Sequence, residues 1–289
     1  VPSEAAKPAK PLPRILNYPG ALCAQVRRLA IDAGEAILTH YRPEGYDEAM
    51  VKADGSPVTL ADRESEELIE KGLAEITPGI PMIGEEATEA GRKPDLTGHD
   101  YYWLVDPLDG TKEFIKGSGD FTVNIALMHN HQPILGVVYA PYLGELYAAH
   151  GPGTAVRWSE DNPRDKSMRV RTPPREGLTV VASLSHGSPK MDKFLESYKV
   201  AKVIKRGSSL KFCAVAAAKA DIYPRLGPTY EWDTAASDAI LRAAGGRVLD
   251  LEGNVLRYGK TESNLLNSGF IAIGSELIEL PSSEDETAS

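Results

Sequence analysis

The sequence predicts an α/β protein with two lobes, an α+β lobe over residues 15–178 and an α/β lobe over residues 179–281. Three observations lead there. Apolar residues recur at helical spacing in two stretches near the start. Short apolar runs separated by turn residues follow. Helix-like and strand-like runs then alternate through the second half.

The first helix is expected over residues 19–41, where Leu22, Val26, Leu29, Ala33 and Ile37 recur every three or four positions. The second is expected over 60–76, with Leu68, Ile69, Leu73 and Ile76 apolar and Pro78-Gly79 as its stop. Strands are expected over 81–83, 101–105, 122–128, 134–139 and 146–149. Asn130-His131-Gln132-Pro133 reads as a hairpin connection, so this half carries a largely antiparallel sheet. Residues 151–178 are polar and rich in Pro and Gly, which marks a boundary between lobes. Beyond it, strands over 179–182, 200–204, 221–223 and 270–273 alternate with helices over 191–198, 209–218 and 234–244. Residues 1–14, rich in Pro, Ala and Lys, and the acidic stretch 282–289 read as tails.

Composition narrows the function. The chain has 289 residues, 42% hydrophobic and 25% charged, enough to bury a core without disulfides. Its net charge of -9 argues against nucleic acid as a partner. No apolar run is long enough for a transmembrane segment, and the start lacks a signal-peptide core. Cys23 and Cys213 sit in apolar runs, read as buried free thiols of a protein in a reducing, cytoplasmic setting. Peripheral attachment to a bacterial inner membrane is left open, as are monomer and homodimer.

The acidic residues are the informative ones: Asp62, Glu85-Glu86, Asp106 with Asp109, and Asp233. The apolar run Tyr101-Tyr102-Trp103-Leu104-Val105 delivers Asp106, and Pro107 removes a backbone donor and forces a turn. Asp109 therefore need not face away from Asp106. Carboxylates that converge repel unless a cation lies between them, and Mg2+ takes oxygen ligands of this kind while keeping waters. Gly110 and Thr111 open a short helical segment whose free amides suit a phosphate. Glu85-Glu86 alone could be a solvated turn. Asp233 alone could be an N-cap, and Asp62 an acid complementing a helix dipole. Gly207-Ser208-Ser209 before Lys211 is either an anion site or a capped helix start. The histidines show no zinc spacing, and no Walker loop, dinucleotide fingerprint or nucleophile elbow is present.

Glu85-Glu86, Asp106-Pro107-Leu108-Asp109-Gly110-Thr111, Trp232-Asp233 and Gly245-Gly246, in this order, resemble the lithium-sensitive inositol monophosphatase superfamily from about residue 20 to 275. Within it the chain resembles the CysQ-type 3'(2'),5'-bisphosphate nucleotidase branch. That finer match rests on the run Lys52 to Thr59, on Lys112-Glu113-Phe114 where inositol monophosphatases usually read Thr-Asn-Phe, on Gly207 to Phe212 and on Glu231 to Ala236. The resemblance implies a layered αβαβα sandwich and removal of the 3'-phosphate of adenosine 3',5'-bisphosphate without a covalent intermediate. It implies Mg2+ as cofactor, two to three ions per site, held by Glu85, Asp106, the Leu108 carbonyl, Asp109 and Asp233, with Li+ as inhibitor. It implies that Thr111, oriented by Asp62, activates the attacking water. His186, Ser208, Lys211 and Arg225 then contact the nucleotide, which also lies against Glu85, Leu108, Asp109, Gly110, Thr111 and Asp233. Leu184 stands where the family often has Arg, and Ser237 where Gly is common. An inositol or sugar phosphate phosphatase on the same scaffold is the alternative activity, and a non-catalytic nucleotide-binding regulator the alternative class.

Overall fold

Leu22, Val26, Leu29, Ala30, Ala33 and Ile37 form the buried stripe of α1 (Pro19–His40), whose first turn is set by the fixed φ of Pro19. The computed structural model describes residues 12–47, 57–183 and 189–281. Arg14–Asn17, at the edge of the expected tail, form a 3-10 turn leading into α1. The second helix, α2 (Pro57–Ile76), begins before Leu60, the position that periodicity picks out. The two helices pack together on one face of a seven-stranded sheet.

That sheet follows chain order: β1 (Met82–Gly84), β2 (Tyr101–Asp109), β3 (Thr122–His129), β4 (Gln132–Ala140), β5 (Glu145–Ala149), β6 (Val156–Ser159) and β7 (Asn162–Ser167). Only β1 pairs in parallel, with β2; the rest is an antiparallel meander. Two short helices punctuate it, α3 (Glu85–Glu89) and α4 (Thr111–Ile115). Asn130 and His131, with φ of 48° and 62°, turn β3 into β4 through a two-residue loop with both residues left-handed.

The stretch 151–178, expected to be a connection, instead carries β6 and β7. The reason lies in their exposure. β7 is exposed along its whole length at the sheet edge, so its sequence Asn-Pro-Arg-Asp-Lys-Ser shows no apolar alternation. Arg27 of α1 holds it by an ion pair to Asp165 at 2.6 Å.

The second half supplies β8 (Leu178–Ser183), α5 (Pro189–Glu196), β9 (Val200–Arg206), α6 (Leu210–Ala216), β10 (Ile222–Arg225), β11 (Thr229–Tyr230), α7 (Ala235–Ala243), β12 (Arg247–Leu249), β13 (Leu266–Asn267) and β14 (Phe270–Ile273). A five-stranded sheet runs β12-β14-β10-β8-β9, and β11 pairs with β13 separately. The strands β11, β12 and β13 have two or three residues each, too short for a periodic signal.

Alternation along the first sheet fixes the layers. Trp103, Val105, Ile125 and Val137 pack against α1 and α2. Their neighbours Tyr102, Leu104, Ala126 and Val138 pack with Phe212 of α6 and Ile240 of α7. Both faces of the sheet are covered, so its strands read as continuous apolar runs. Beyond α6 and α7 lies the five-stranded sheet, and α5 closes its far side through Phe194 and Leu195. The order α1/α2, sheet, α6/α7, sheet, α5 is the αβαβα sandwich. One core cluster joins residues from both sides of position 178.

The contact between the first sheet and α7 is tight at Gly136. A Cβ there would lie 2.1 Å from the Ala236 carbonyl oxygen and 2.9 Å from the Ala239 methyl. Gly136→Ala is expected to destabilise the fold by about 1–3 kcal/mol through overpacking. Denaturant unfolding measures it, and an unchanged midpoint would contradict this packing. Ser237, on the same helix, satisfies its buried hydroxyl by donating to the Thr234 carbonyl at 3.0 Å.

Candidate active site

The apolar run Tyr101 to Val105 drives β2 through the sheet interior and ends on Asp106, 1% exposed. Pro107 does not end the strand as expected. β2 continues to Asp109 across an irregularity. Asp106 pairs with Asn124 and Asp109 with Thr122, so two residues, Pro107 and Leu108, stand opposite Val123 alone. This is a β-bulge, a place where proline's missing donor is tolerated. Its consequence is geometric. In a regular strand positions three apart face opposite ways. The extra residue restores the parity, and Asp106 and Asp109 turn to the face that Asn124 and Thr122 share.

Two contacts hold the bulge. The Leu108 N–H donates to Asp106 Oδ1 at 3.0 Å, and Ser65 of α2 donates to the Pro107 carbonyl at 3.2 Å. Leu108 itself is buried. Gly110 then takes φ 97°, which favours glycine, and starts α4 at the exposed Thr111.

Glu85 reaches the same place from β1. The parallel register Gly84↔Val105 brings the next residues, Glu85 and Asp106, side by side. Their carboxyl groups share a hydrogen bond. The buried Glu66 of α2 fixes the start of α3 by accepting the N–H groups of Glu86 at 2.9 Å and Ala87 at 2.7 Å. One turn earlier on α2 lies Asp62, 8% exposed. It is not in the first turn of the helix, which holds no acid, so the dipole reading of Asp62 is set aside.

Asp233 comes from the other half of the chain, in the turn between β11 and α7. It is not the N-cap; Thr234 holds that position, without a side-chain cap. The Asp233 carboxylate instead accepts the Tyr230 N–H at 2.9 Å. Asp109 joins the two halves. Its Oδ2 accepts the Ser209 N–H at 2.7 Å, the Ser209 hydroxyl at 3.0 Å, the Asn124 amide at 3.3 Å and the Ser208 hydroxyl. The Ser209 hydroxyl also donates to the Asp233 carbonyl at 2.9 Å.

These carboxyl groups disfavour one another's charge. Burial raises the Glu85 pKa to about 7; the hydrogen bond with Asp106 opposes the rise, and the charges of Asp109, Glu89 and Glu86 add to it. Burial, followed by Glu85, Asp109 and Asp233, raises Asp106 well above the usual range. Burial and then Asp109 and Glu85 do the same for Asp233. Asp62 is pushed up to about 8 by burial and then by Glu86 and Glu85. Among the described residues no three Asp, Glu, His or Cys side chains already converge closely enough to cage an ion. The donor set nevertheless fits a hard divalent cation: oxygen donors only, mutually destabilised, with no cationic side chain paired to Asp106 among the described residues.

Next to the carboxylates opens a cleft of about 190 Å3, lined by Asp109, Lys112, Lys211, Arg225, Asp233 and Phe270 among others. Lys211 is nearly buried, its ammonium donating to the Ser208 carbonyl at 2.6 Å and lying 5.4 Å over the Tyr223 ring. Burial lowers its pKa. Arg225 donates to the Pro228 carbonyl at 3.3 Å, while its buried Nε has no partner among the described residues. The cleft thus sets carboxylates against the cations Lys112, Lys211 and Arg225, as a metal–phosphate site requires.

Of the residues singled out in the sequence, the structure gathers Glu85, Asp106, Asp109, Asp233, Ser208, Lys211 and Arg225 around this region. It puts Asp62 on the adjoining helix, and Thr111 at the start of α4, which packs against α2. His186, Leu184 and residues 52–56 lie outside the described residues. Sequence reasoning missed Glu66, Ser65 and Asn124 as supports. Asn124 carries a legible signal, an amide amid the apolar run of β3. Glu66 sits among the other acids of α2, and Ser65 is a lone serine between two of them, so neither carries a signal.

Known proteins are similar to this chain in sequence and fold. The model of the inositol monophosphatase family matches residues 22–282. The 3'(2'),5'-bisphosphate nucleotidase CysQ of Escherichia coli is 45% identical over 249 residues, covering 85% of this chain and 97% of that protein. The Salmonella typhimurium protein of the same name is 46% identical over 250 residues, with 85% and 97% coverage. Among solved structures, CysQ from Bacteroides thetaiotaomicron, described as a bacterial member of the inositol monophosphatase family, superposes with a TM-score of 0.75 at 39% identity. It covers 90% of this chain and 98% of its own.

Proposed function

The chain belongs to the inositol monophosphatase family, and from that premise we propose that it is a Mg2+-dependent 3'(2'),5'-bisphosphate nucleotidase. Enzymes of this family are metal-dependent phosphatases. The reaction is hydrolysis of the 3'-phosphate of adenosine 3',5'-bisphosphate to AMP and phosphate. The observation that carries the reading is the bulge in β2, which turns Asp106 and Asp109 to one face, beside Glu85 and Asp233 and against a cleft holding Lys211 and Arg225.

Glu85, Asp106, the Leu108 carbonyl, Asp109 and Asp233 would hold the metal. When bound, Mg2+ neutralises phosphoryl charge, polarises the attacking water and stabilises the departing ribose oxygen. The chain's own groups do the rest. Thr111 and Asp62 order the water for in-line attack. A bond forms from the water oxygen to phosphorus as the bond from phosphorus to the 3'-oxygen breaks; the water gives up one proton and the departing oxygen takes one, so the step balances. Gly110, without a side chain, lets phosphoryl oxygens approach the backbone. Lys211, Arg225, Ser208 and His186 hold the nucleotide, the two cations answering its second phosphate. Li+ inhibits by taking a Mg2+ position. Among the described residues no helix is long and apolar enough to cross a membrane, and Cys23 and Cys213 are free and buried. Both fit a cytoplasmic enzyme.

Phosphate release with Mg2+ from adenosine 3',5'-bisphosphate, inositol 1-phosphate and fructose 1,6-bisphosphate tests the substrate. The nucleotide is expected to be favoured in kcat/KM by roughly 100-fold or more, about 3 kcal/mol of discrimination. Preference for either sugar-type substrate would move the chain to another branch of its family.

A further inference from the structure

Glu231, two residues before Asp233, has a completely buried carboxylate. It accepts the backbone N–H groups of Gly259 at 2.7 Å and Lys260 at 3.0 Å, and the Lys260 ammonium at 3.2 Å. The Lys260 ammonium also donates to Asn267 Oδ1 at 2.8 Å and to the Arg257 carbonyl. The Asn267 amide reaches the turn that carries Asp233 at both ends. It donates to Thr229 Oγ1 at 3.4 Å and the Tyr230 carbonyl at 3.4 Å on one side, and to Thr234 Oγ1 at 3.3 Å on the other. Tyr230, in turn, supplies the N–H that holds Asp233 Oδ2.

A buried carboxylate costs free energy unless it is paired and hydrogen-bonded. Two backbone donors already tie Glu231 to residues 259–260. The ammonium adds charge compensation and carries the connection onward. By engaging Asn267 Oδ1 it fixes which way that amide points, leaving its N–H groups for residues 229–234. Pairing of β11 with β13, Thr229 opposite Asn267, sets the distance. Although Thr229 and Thr234 of the turn they hold line the cleft, Glu231, Lys260 and Asn267 do not. Their shared effect is to aim a carboxylate that does.

We propose that Lys260, acting through Asn267 and Glu231, is a positioning residue for Asp233: it holds the turn of residues 229–234 so that the Asp233 carboxylate is pre-aimed at a divalent cation. The proposal rests on the reading of Asp233 as a metal ligand. Mg2+ demands a narrow coordination geometry, so a ligand carboxylate that wanders binds it poorly. Groups that orient ligand side chains are worth about 10–100-fold in metal affinity.

The test is calorimetric titration of the full chain with Mn2+, without substrate, alongside kcat, the KM for adenosine 3',5'-bisphosphate and the thermal midpoint. Asp233→Asn serves as the reference for loss of the ligand itself. Lys260→Met is expected to weaken the Asp233-dependent Mn2+ binding by about 10-fold or more. The nucleotide KM should stay within roughly two-fold, and Lys260→Arg should recover part of the affinity. Asn267→Ala leaves the Glu231–Lys260 pair intact and should weaken the same binding to a lesser degree; it decides the matter if Lys260→Met does not fold. Wild-type Mn2+ affinity in folded Lys260→Met or Asn267→Ala protein, with binding lost in Asp233→Asn, overturns the positioning role and spares the ligand assignment. Wild-type affinity in Asp233→Asn overturns the ligand assignment, and the positioning role with it.

Discussion

Asp106→Asn is expected to lower kcat by about 1,000-fold or more, roughly 4 kcal/mol of lost transition-state stabilisation, while the metal-free protein keeps at least wild-type stability. The two halves of this expectation have one cause. Asp106 is 1% exposed and faces Glu85, Asp109 and Asp233, so its charge is opposed from every side unless a cation is present. Asn keeps the size of the side chain and an oxygen that can still accept the Leu108 N–H. It removes the charge that only a metal makes worthwhile. Steady-state kinetics with Mg2+ and thermal unfolding in a chelator check both halves. Turnover within ten-fold of wild type would contradict the role of Asp106. Asp109→Asn is a less clean probe, because Asp109 also anchors Ser208 and Ser209 at the start of α6. Its loss mixes catalysis with the joining of the two halves of the chain.

Stabilisation by Mg2+ should grow with pH. Glu85 and Asp62 have folded-state pKa values of about 7 and about 8, against ordinary values of 4.5 and 3.8. Between about pH 4 and pH 8 the folded protein therefore keeps protons that the unfolded chain has released. Stability of the metal-free form falls as pH rises through that window and levels off above the folded values. Mg2+ takes the place of those protons, so the loss is suppressed when it is bound. Several kcal/mol are at stake, since each pKa unit is worth about 1.4 kcal/mol. For a chain of this size that corresponds to about 5 °C or more in thermal midpoint between pH 6 and pH 8 in a chelator. With saturating Mg2+ the midpoint should change little over the same range. A metal-free midpoint that rises with pH would reverse the sign and contradict the buried, mutually repelling carboxyl groups.

The long elements were legible because their burial writes itself into period: α1 in Leu22, Val26, Leu29 and Ile37, and β2 in Tyr101 to Val105. Order along the chain also carried the site, since Glu85, Asp106, Asp109 and Asp233 each follow or flank an apolar element that delivers them. What escaped has physical causes. β7 is a solvated edge with no apolar face to alternate. Pro107 looks like a strand breaker, yet a bulge accommodates it, and a bulge is visible only once β3 supplies the opposing register. Glu66 and Lys260 act through contacts 20 and 29 residues away in sequence, with Glu86 and Glu231, and neither has a local pattern that marks it. The helix-end readings of Asp62 and Asp233 failed because α2 starts at Pro57, which carries Asp62 past the first turn, and because Thr234 holds the N-cap while the Asp233 carboxylate accepts the Tyr230 N–H.

The assignment of Glu85, Asp106, Asp109 and Asp233 as one metal site is most directly tested by anomalous scattering from crystals of the full chain grown with Mn2+ in place of Mg2+. The expected result is at least two strong peaks against these four residues, one touching both Glu85 and Asp106 and one touching Asp109 and Asp233. Peaks confined to other surfaces, or none at saturating Mn2+, would contradict it.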